Sequence, residues 1–457
     1  MGILSLLLAV FLGAAPPQEP STASVLIELA STGSDEALVD RVRQHPDATR
    51  EALHDLMRVS LDETDQEDSQ ASGAPPVHGD GALRIADRLA RAYLEAWTDP
   101  FLIQQVQRFQ SLSPTDRQAT LQADSLRLLG NEAYGAQGIP PAMELWRKSL
   151  HLSEGLRDPV GAARARGNLG AGFLASGRPD SARAYLRDAY AGAAEAGDFR
   201  TAATAVTNLA NLAFEEGDLT EAADRYSQAT VILSRTGDNR RLSAIQHNLG
   251  LVALDLGDLP GARAALEQSI RLSRLHGYRG DEAEGLSSLA DVAQAEGEYG
   301  EATELLNRAL LLTREDGNRL AEAGAMHSLG LLNLARGDYG AARRLLETAL
   351  GTYMELGALP DAGHVRQDLA RTRVATGDIR GGLPEVREAR RTTASVEPGL
   401  RAVGDLALAS AELHLALGEY PAAMVLFEEA EASFTEASSL AGQAAAVEGQ
   451  GLLSLLR

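Results

Sequence analysis

Apolar residues recur with helical spacing along most of the chain, and the pattern itself repeats every 40 residues. Between Gly177 and Gly217 lie two apolar segments, each long enough for one ordinary helix. A leucine marks one place in seven successive copies: Leu129, Leu169, Leu209, Leu249, Leu289, Leu329 and Leu369. Glycine or alanine follows it every time. A repeat of this kind predicts a series of helical hairpins.

Two series of glycines predict where the helices end. One series is Gly177, Gly217, Gly257, Gly297, Gly337 and Gly377, and the other is Gly197, Gly237, Gly277, Gly317 and Gly357. Glycine readily takes the left-handed conformation that ends a helix, and Asp218, Asp258 or Asp338 directly after it can cap the next one. Small residues such as Ala302 let helices approach closely, and large ones such as Leu306 fill the space. Because one hairpin cannot bury both of its faces, we expect the hairpins to stack.

The pair Leu329-Gly330, the turn Gly337-Asp338-Tyr339 and the small residues Ala342 and Ala349 resemble the tetratricopeptide repeat (TPR) family. The usual period of that family is 34 residues. The longer period resembles the long-helix variants found in scaffold proteins and peptide-binding regulators. The resemblance runs from about Pro114 to the C-terminus. It implies an all-α fold, a right-handed α-solenoid of stacked antiparallel hairpins.

Changes in composition predict six segments. They are a signal peptide at 1–15, short helices at 16–63, an acidic linker with Pro and Gly at 64–80, a divergent capping hairpin at 81–112, eight TPR-like repeats at 113–438, and a helix at 439–457 that resembles the first helix of a ninth repeat. The linker carries clustered acids and few apolar residues, so it cannot bury much surface.

An apolar run from Ile3 to Leu12, followed by Gly13-Ala14-Ala15, has the length of a signal peptide and is too short to span a bilayer. It predicts export from a bacterial cell, to the periplasm or beyond. No basic residue precedes the run, which leaves a membrane anchor, or a misassigned start and a cytoplasmic protein, as alternatives. We expect no membrane span after this segment.

Charge and composition argue against several classes of partner and catalytic site. The net charge is −22, and an acidic surface repels phosphate backbones, so we expect no nucleic-acid partner. The absence of cysteine excludes disulfides, thiolate metal sites and cysteine nucleophiles. Neither a His-Glu-x-x-His nor a Gly-x-Ser-x-Gly motif occurs. We therefore predict no catalytic residues, no metal, no cofactor and no enzymatic activity.

A polar series beside the repeated leucine is the main candidate for function. It consists of Asn168, Asn208, Asn248, Ser288, Ser328 and Asp368. In TPR proteins the first helix of each hairpin lines the concave face, and the resemblance implies that asparagines there bind a peptide backbone. An amide suits this role because it both donates and accepts hydrogen bonds. The predicted groove also includes Asn211, His247, Asp291, His327 and Arg371.

Two interpretations of the series stay open. The asparagines bind a ligand, or they bond within and between hairpins and only hold the stack. Similarly, His247 and His327 either gain charge below neutral pH in a groove or are ordinary polar residues on a helix.

These features predict a non-catalytic scaffold that binds a protein or peptide. A looser resemblance of residues 83–130 to regions that precede TPR arrays in bacterial proteins with a caspase-like (CHAT) domain implies an alternative. In it, the array is the sensor of a protease whose catalytic domain lies outside this chain. Four leucines in the last segment, Leu452, Leu453, Leu455 and Leu456, predict self-association or continuation into a longer protein.

Overall fold

Helices are the only regular secondary structure in residues 21–61, 79–234, 236–394, 400–436 and 440–456, which the computed structural model describes. Five helices come first: α1 (Ser21–Thr32), α2 (Asp35–Gln44), α3 (Pro46–Val59), α4 (Asp80–Trp97) and α5 (Phe101–Ser111). The predicted signal peptide, and most of the predicted linker, lie outside the described residues.

Sixteen helices follow as eight successive pairs. They are α6 (Pro114–Gln137) with α7 (Ile139–Gly155), α8 (Pro159–Ala175) with α9 (Pro179–Glu195), α10 (Phe199–Glu215) with α11 (Leu219–Leu233), α12 (Asn239–Asp255) with α13 (Leu259–Leu275), α14 (Arg279–Ala295) with α15 (Tyr299–Glu315), α16 (Arg319–Ala335) with α17 (Tyr339–Leu356), α18 (Leu359–Ala375) with α19 (Ile379–Ala394), and α20 (Leu400–Ala416) with α21 (Tyr420–Glu436). The two helices contact each other in every pair that lies wholly within Met1–Val252 or Ala253–Arg457. A last helix, α22 (Leu440–Leu456), follows. The all-α fold predicted from the repeat is confirmed.

The helix ends form as the glycine series predicts. Gly177 and Gly197 have φ angles of +64° and +71°, a left-handed conformation that glycine adopts without steric cost. Asp218 Oδ1 accepts a hydrogen bond from the Glu221 N–H at 2.9 Å, which caps α11. Asp258 and Asp338 cap α13 and α17 in the same way. The predicted aspartate caps are therefore confirmed.

Close packing explains why a small residue follows each repeated leucine. A Cβ added to Gly170 would lie 2.7 Å from Leu186 Cδ2, and one added to Gly330 would lie 2.8 Å from Leu346 Cδ2. Both leucines are fully buried. The glycines thus let the two helices of a hairpin approach until a leucine of the second helix touches the backbone of the first.

Contacts divide the chain into two compact units, Met1–Val252 and Ala253–Arg457. In the first unit α8 contacts α10, and in the second α14 contacts α16 and α16 contacts α18. First helices of consecutive hairpins therefore lie side by side within each unit. We call the face that they form the first-helix surface.

The five N-terminal helices share one hydrophobic cluster in the first unit. It contains Leu26 of α1, Val42 of α2, Leu56 of α3, Leu89 of α4 and Val106 of α5. The helices on both sides of residues 62–78 thus form one bundle, which we call the N-terminal bundle. The segment boundaries predicted for this part of the chain stay a prediction.

The last helix, α22, packs against both helices of the preceding hairpin, α20 and α21. This is the packing of a first helix on the hairpin before it. Leu453 is fully buried, whereas Leu455 is 84% exposed. Self-association through this helix stays a prediction.

Candidate peptide-binding surface

Asparagines of the predicted groove lie on the first-helix surface of the first unit, but little of each is exposed. Asn168, Asn208, Asn211 and Asn248 are between 1% and 5% exposed. Their positions next to the repeated leucine turn them partly toward the neighbouring helices. Because buried amides need hydrogen-bond partners, their contacts decide what remains for a ligand.

The first pair of amides joins two hairpins. Asn168 Nδ2 donates to Asn131 Oδ1 at 2.6 Å, so α8 is bonded to α6. The same oxygen accepts the indole N–H of Trp146 at 3.0 Å. Asn131, one turn beyond the predicted series, is thus a residue that the sequence analysis missed. Its side-chain oxygen accepts hydrogen bonds that hold consecutive hairpins together.

A second group lies within the next hairpin. Asn211 Nδ2 donates to Asn208 Oδ1 at 3.2 Å, and the Tyr226 hydroxyl donates to Asn211 Oδ1. Burial raises the pKa of Tyr226, which keeps its hydroxyl a donor. Asn208 Nδ2 is buried and has no hydrogen-bond partner among the described residues. These amides join the packed helices of the hairpin, and their part in peptide binding stays a prediction.

The histidine of this unit is also buried. His247 is 6% exposed, and burial lowers its pKa to about 4. A buried imidazole resists protonation because its charged form loses hydration. His247 is therefore neutral at physiological pH and gains charge only in acid well below the range predicted from an ordinary histidine.

Polar groups are more accessible on the first-helix surface of the second unit. Ser288 is buried, Ser328 and His327 are half-buried, and Asp291 and Arg371 are exposed. His327 Nε2 lies 2.8 Å from Asp368 Oδ2, which connects α16 to α18. Arg371 Nη1 donates to Asp368 Oδ1 at 3.0 Å and stays about half exposed. The surface therefore offers both donors and acceptors to a bound chain.

Two carboxyl groups on α14 have unusually high pKa values. Asp291 is exposed, yet the surrounding protein displaces enough water to raise its pKa to about 6. Burial raises the pKa of Glu284 to about 7, and nearby Asp281 raises it further. The two side chains are seven residues apart, which places them on one helix face. Glu284 is not among the predicted groove residues, although its spacing from Asp291 points to it.

The N-terminal bundle contacts the repeats of the first unit through charged groups. Arg200 at the start of α10 pairs with Asp47 of α3 at 2.9 Å and with Asp238 at 2.8 Å. The Tyr93 hydroxyl of α4 donates to the Thr236 carbonyl oxygen at 2.9 Å. The bundle thus binds the turns between hairpins, a set of contacts that the sequence analysis did not predict.

Comparison with known families agrees with the repeat geometry. Residues 133–380 match the model of the MalT-like TPR region. The chain belongs to this family. The predicted TPR relationship is therefore confirmed, while the looser caspase-like resemblance stays a prediction.

Solved structures share the fold of this MalT-like TPR chain. The apo form of RapI is 13% identical, with a TM-score of 0.50 over 60% of this chain and 99% of its own. A STAND protein with a TPR sensor, PH0952 from Pyrococcus horikoshii, is 12% identical, with a TM-score of 0.51 over 86% of this chain and 52% of its own. No curated protein matches the chain significantly.

The described residues contain no helix with the length and apolar character needed to cross a membrane. Nor do they contain three or more His, Asp or Glu side chains grouped so that they could hold a metal ion.

Proposed function

We propose that this chain is a non-catalytic scaffold that binds an extended peptide or protein segment on its first-helix surface. One observation carries the proposal. Asp291 and Arg371 remain exposed, and His327 half-exposed, on first helices that contact one another in sequence order. An extended peptide has unpaired backbone groups, and such a row of donors and acceptors can satisfy them.

The chemistry of the surface favours contacts along the backbone of the ligand. Arg371 can donate to carbonyl oxygens, Asp291 can accept from N–H groups, and His327 is held in place by Asp368. Each contact contributes little by itself, because both partners are also solvated when free. Several repeats must therefore act together, as a stack of similar hairpins allows.

A peptide display screen followed by measurement of dissociation constants tests this function. Replacing Asp291, His327 and Arg371 together by alanine should weaken binding of the selected peptides at least about tenfold, since the polar contacts of three side chains are lost at once. Glu304→Ala, an exposed change on the second helix α15, serves as the control and should leave affinity unchanged. Equal binding by the triple variant would overturn the proposal.

We also propose export of the protein, which the apolar run at residues 3–12 supports. Fusing residues 1–20 to a reporter that is active only outside the cytoplasm tests this. Reporter activity is expected with the natural segment and should disappear when Leu6 and Leu7 are replaced by arginine. Activity that survives this replacement would contradict a signal function.

A further inference from the structure

A cleft of about 750 Å³ lies in the first unit, between the N-terminal bundle and the repeats. One wall is the turn from α4 to α5, with Asp99 and Phe101. The other is the turn from α9 to α10, with Gly197 and Phe199, and Glu195 stands at its rim. The cleft is remote in sequence from the residues proposed to bind peptide, so it calls for its own explanation.

Asp99 is a buried carboxylate with one oxygen left without a hydrogen bond. The side chain is 3% exposed, and its Oδ1 accepts the Phe101 N–H at 3.0 Å. Its Oδ2 forms an ion pair with Arg50 Nη2 at 3.8 Å, which is too long for a hydrogen bond. Arg50 Nη2 donates instead to the Tyr93 hydroxyl at 2.9 Å. Burial raises the pKa of Asp99, as expected for a carboxylate that its neighbours do not fully compensate.

The next repeat shows which kind of group fits beside such a turn. Gly237 occupies the position of Gly197 one repeat later, and both have a left-handed backbone, with φ of +67° and +71°. A Cβ added to Gly237 would lie 2.5 Å from Cε2 and Cζ2 of the Trp97 indole. The aromatic ring therefore lies directly on this glycine. A Cβ added to Gly197 would meet nothing within 4 Å.

We propose that the cleft binds an aromatic amine, with the ring against Gly197 and Phe199 and the ammonium group on Asp99. Trp97 shows that a planar ring fits the equivalent turn, and the half-buried phenyl group of Phe199 in the cleft wall supplies apolar and aromatic contacts. An ammonium group provides the donor that Asp99 Oδ2 lacks, and such a charge-assisted bond is strong in a partly buried site. The amine can be a free small molecule or the N-terminus of a peptide that begins with an aromatic residue.

Calorimetric titration of the full-length protein tests the chemistry with four probes. Tryptamine carries both the ring and the ammonium group, tryptophol lacks the ammonium group, and butylamine lacks the ring. The peptide Trp-Gly-Gly-amide represents the peptide source. Tryptamine or the peptide should bind at least about tenfold more tightly than tryptophol and butylamine. Whichever of the two binds more tightly identifies the source of the amine.

Two variants and a matched control connect binding to this cleft. Asp99→Asn keeps the acceptor for the Phe101 N–H and removes the charge, so affinity should fall at least about tenfold. Ala194→Trp, at an exposed helix position on the cleft wall, should abolish binding by filling the space, and it tests the site even if Asp99→Asn fails to fold. Asp338→Asn removes a carboxylate that caps α17 and should change nothing. Absence of tryptamine and peptide binding, equal binding of tryptamine and tryptophol, or full affinity in Ala194→Trp would overturn the proposal.

Discussion

Replacing Gly330 by alanine should destabilise the sixth hairpin, because there is no space for the added methyl group. The new Cβ would lie 2.8 Å from Leu346 Cδ2, whereas ordinary contacts begin at 3.4 Å, so the two must separate by about 0.6 Å (3.4 − 2.8). Leu346 is fully buried and cannot turn outward. Overpacking of this kind costs about 1–3 kcal/mol, and the higher helix propensity of alanine offsets about 1 kcal/mol of it.

Gly351→Ala is the matched control, since Gly351 lies in an exposed part of α17 with nothing within 4 Å of the added carbon. This change should stabilise the protein by about 1 kcal/mol. The difference in unfolding free energy between the two variants therefore isolates the steric clash.

Repeat arrays need not unfold in one step, so denaturant unfolding should be combined with hydrogen exchange across α16 and α17. Faster exchange is expected there in Gly330→Ala. In a Leu346→Ala background, where the clashing atoms are absent, the same glycine change should become neutral or stabilising. Equal stabilisation by Gly330→Ala and Gly351→Ala would refute the packing argument.

Four further predictions concern backbone strain, capping and pH. Arg157 has a left-handed φ of +51° where later repeats have glycine, so Arg157→Gly should stabilise by about 1 kcal/mol, seen as a higher melting temperature. Asp338→Ala should lower the free energy of unfolding by about 1 kcal/mol because it removes the cap of α17, whereas Asp338→Asn should leave it unchanged. An equal loss of stability in both variants would contradict capping. The pKa of Glu284, raised to about 7, means that wild type gains stability as pH falls from about 7 to 4.5; melting curves of Glu284→Gln should lack this gain. The pKa of His247 is lowered to about 4. The free energy of unfolding that depends on its neutral form is therefore fully present above pH 6.5 and is lost as pH falls toward 4. His247→Gln should lose less stability than wild type over that range.

The hairpins could be predicted because the information that specifies them is local. Helical spacing, a turn glycine and a capping aspartate such as Asp218 all lie within one repeat. Their recurrence at a fixed interval also specifies stacking, since each hairpin then presents the same faces to its neighbours.

The contacts of the candidate site were harder to predict because they depend on other helices. The position of Asn168 beside Leu169 predicts a groove residue, yet its amide is hydrogen-bonded to Asn131 of the preceding hairpin. Neighbouring residues on a helix differ by about 100° in direction, so one position decides between groove and interface. Only the packing of α6 against α8 shows that Asn168 belongs largely to the interface.

One turn residue differs between the repeats of the first unit and those of the second. The residue after the turn between hairpins is Asp158, Asp198 or Asp238 in the first unit, and the same place holds Tyr278, Asn318 or Ala358 in the second. All three aspartates are buried and paired with arginines: Asp158 with Arg108 of the bundle, Asp198 with Arg164, and Asp238 with Arg200. Since a buried carboxylate without a partner is costly, each of these turns needs an arginine beside it. The bundle supplies that arginine for Asp158, and the repeats supply it for the other two. The aspartate at this position is therefore found in the repeats that lie in one compact unit with the bundle, and not in the later repeats.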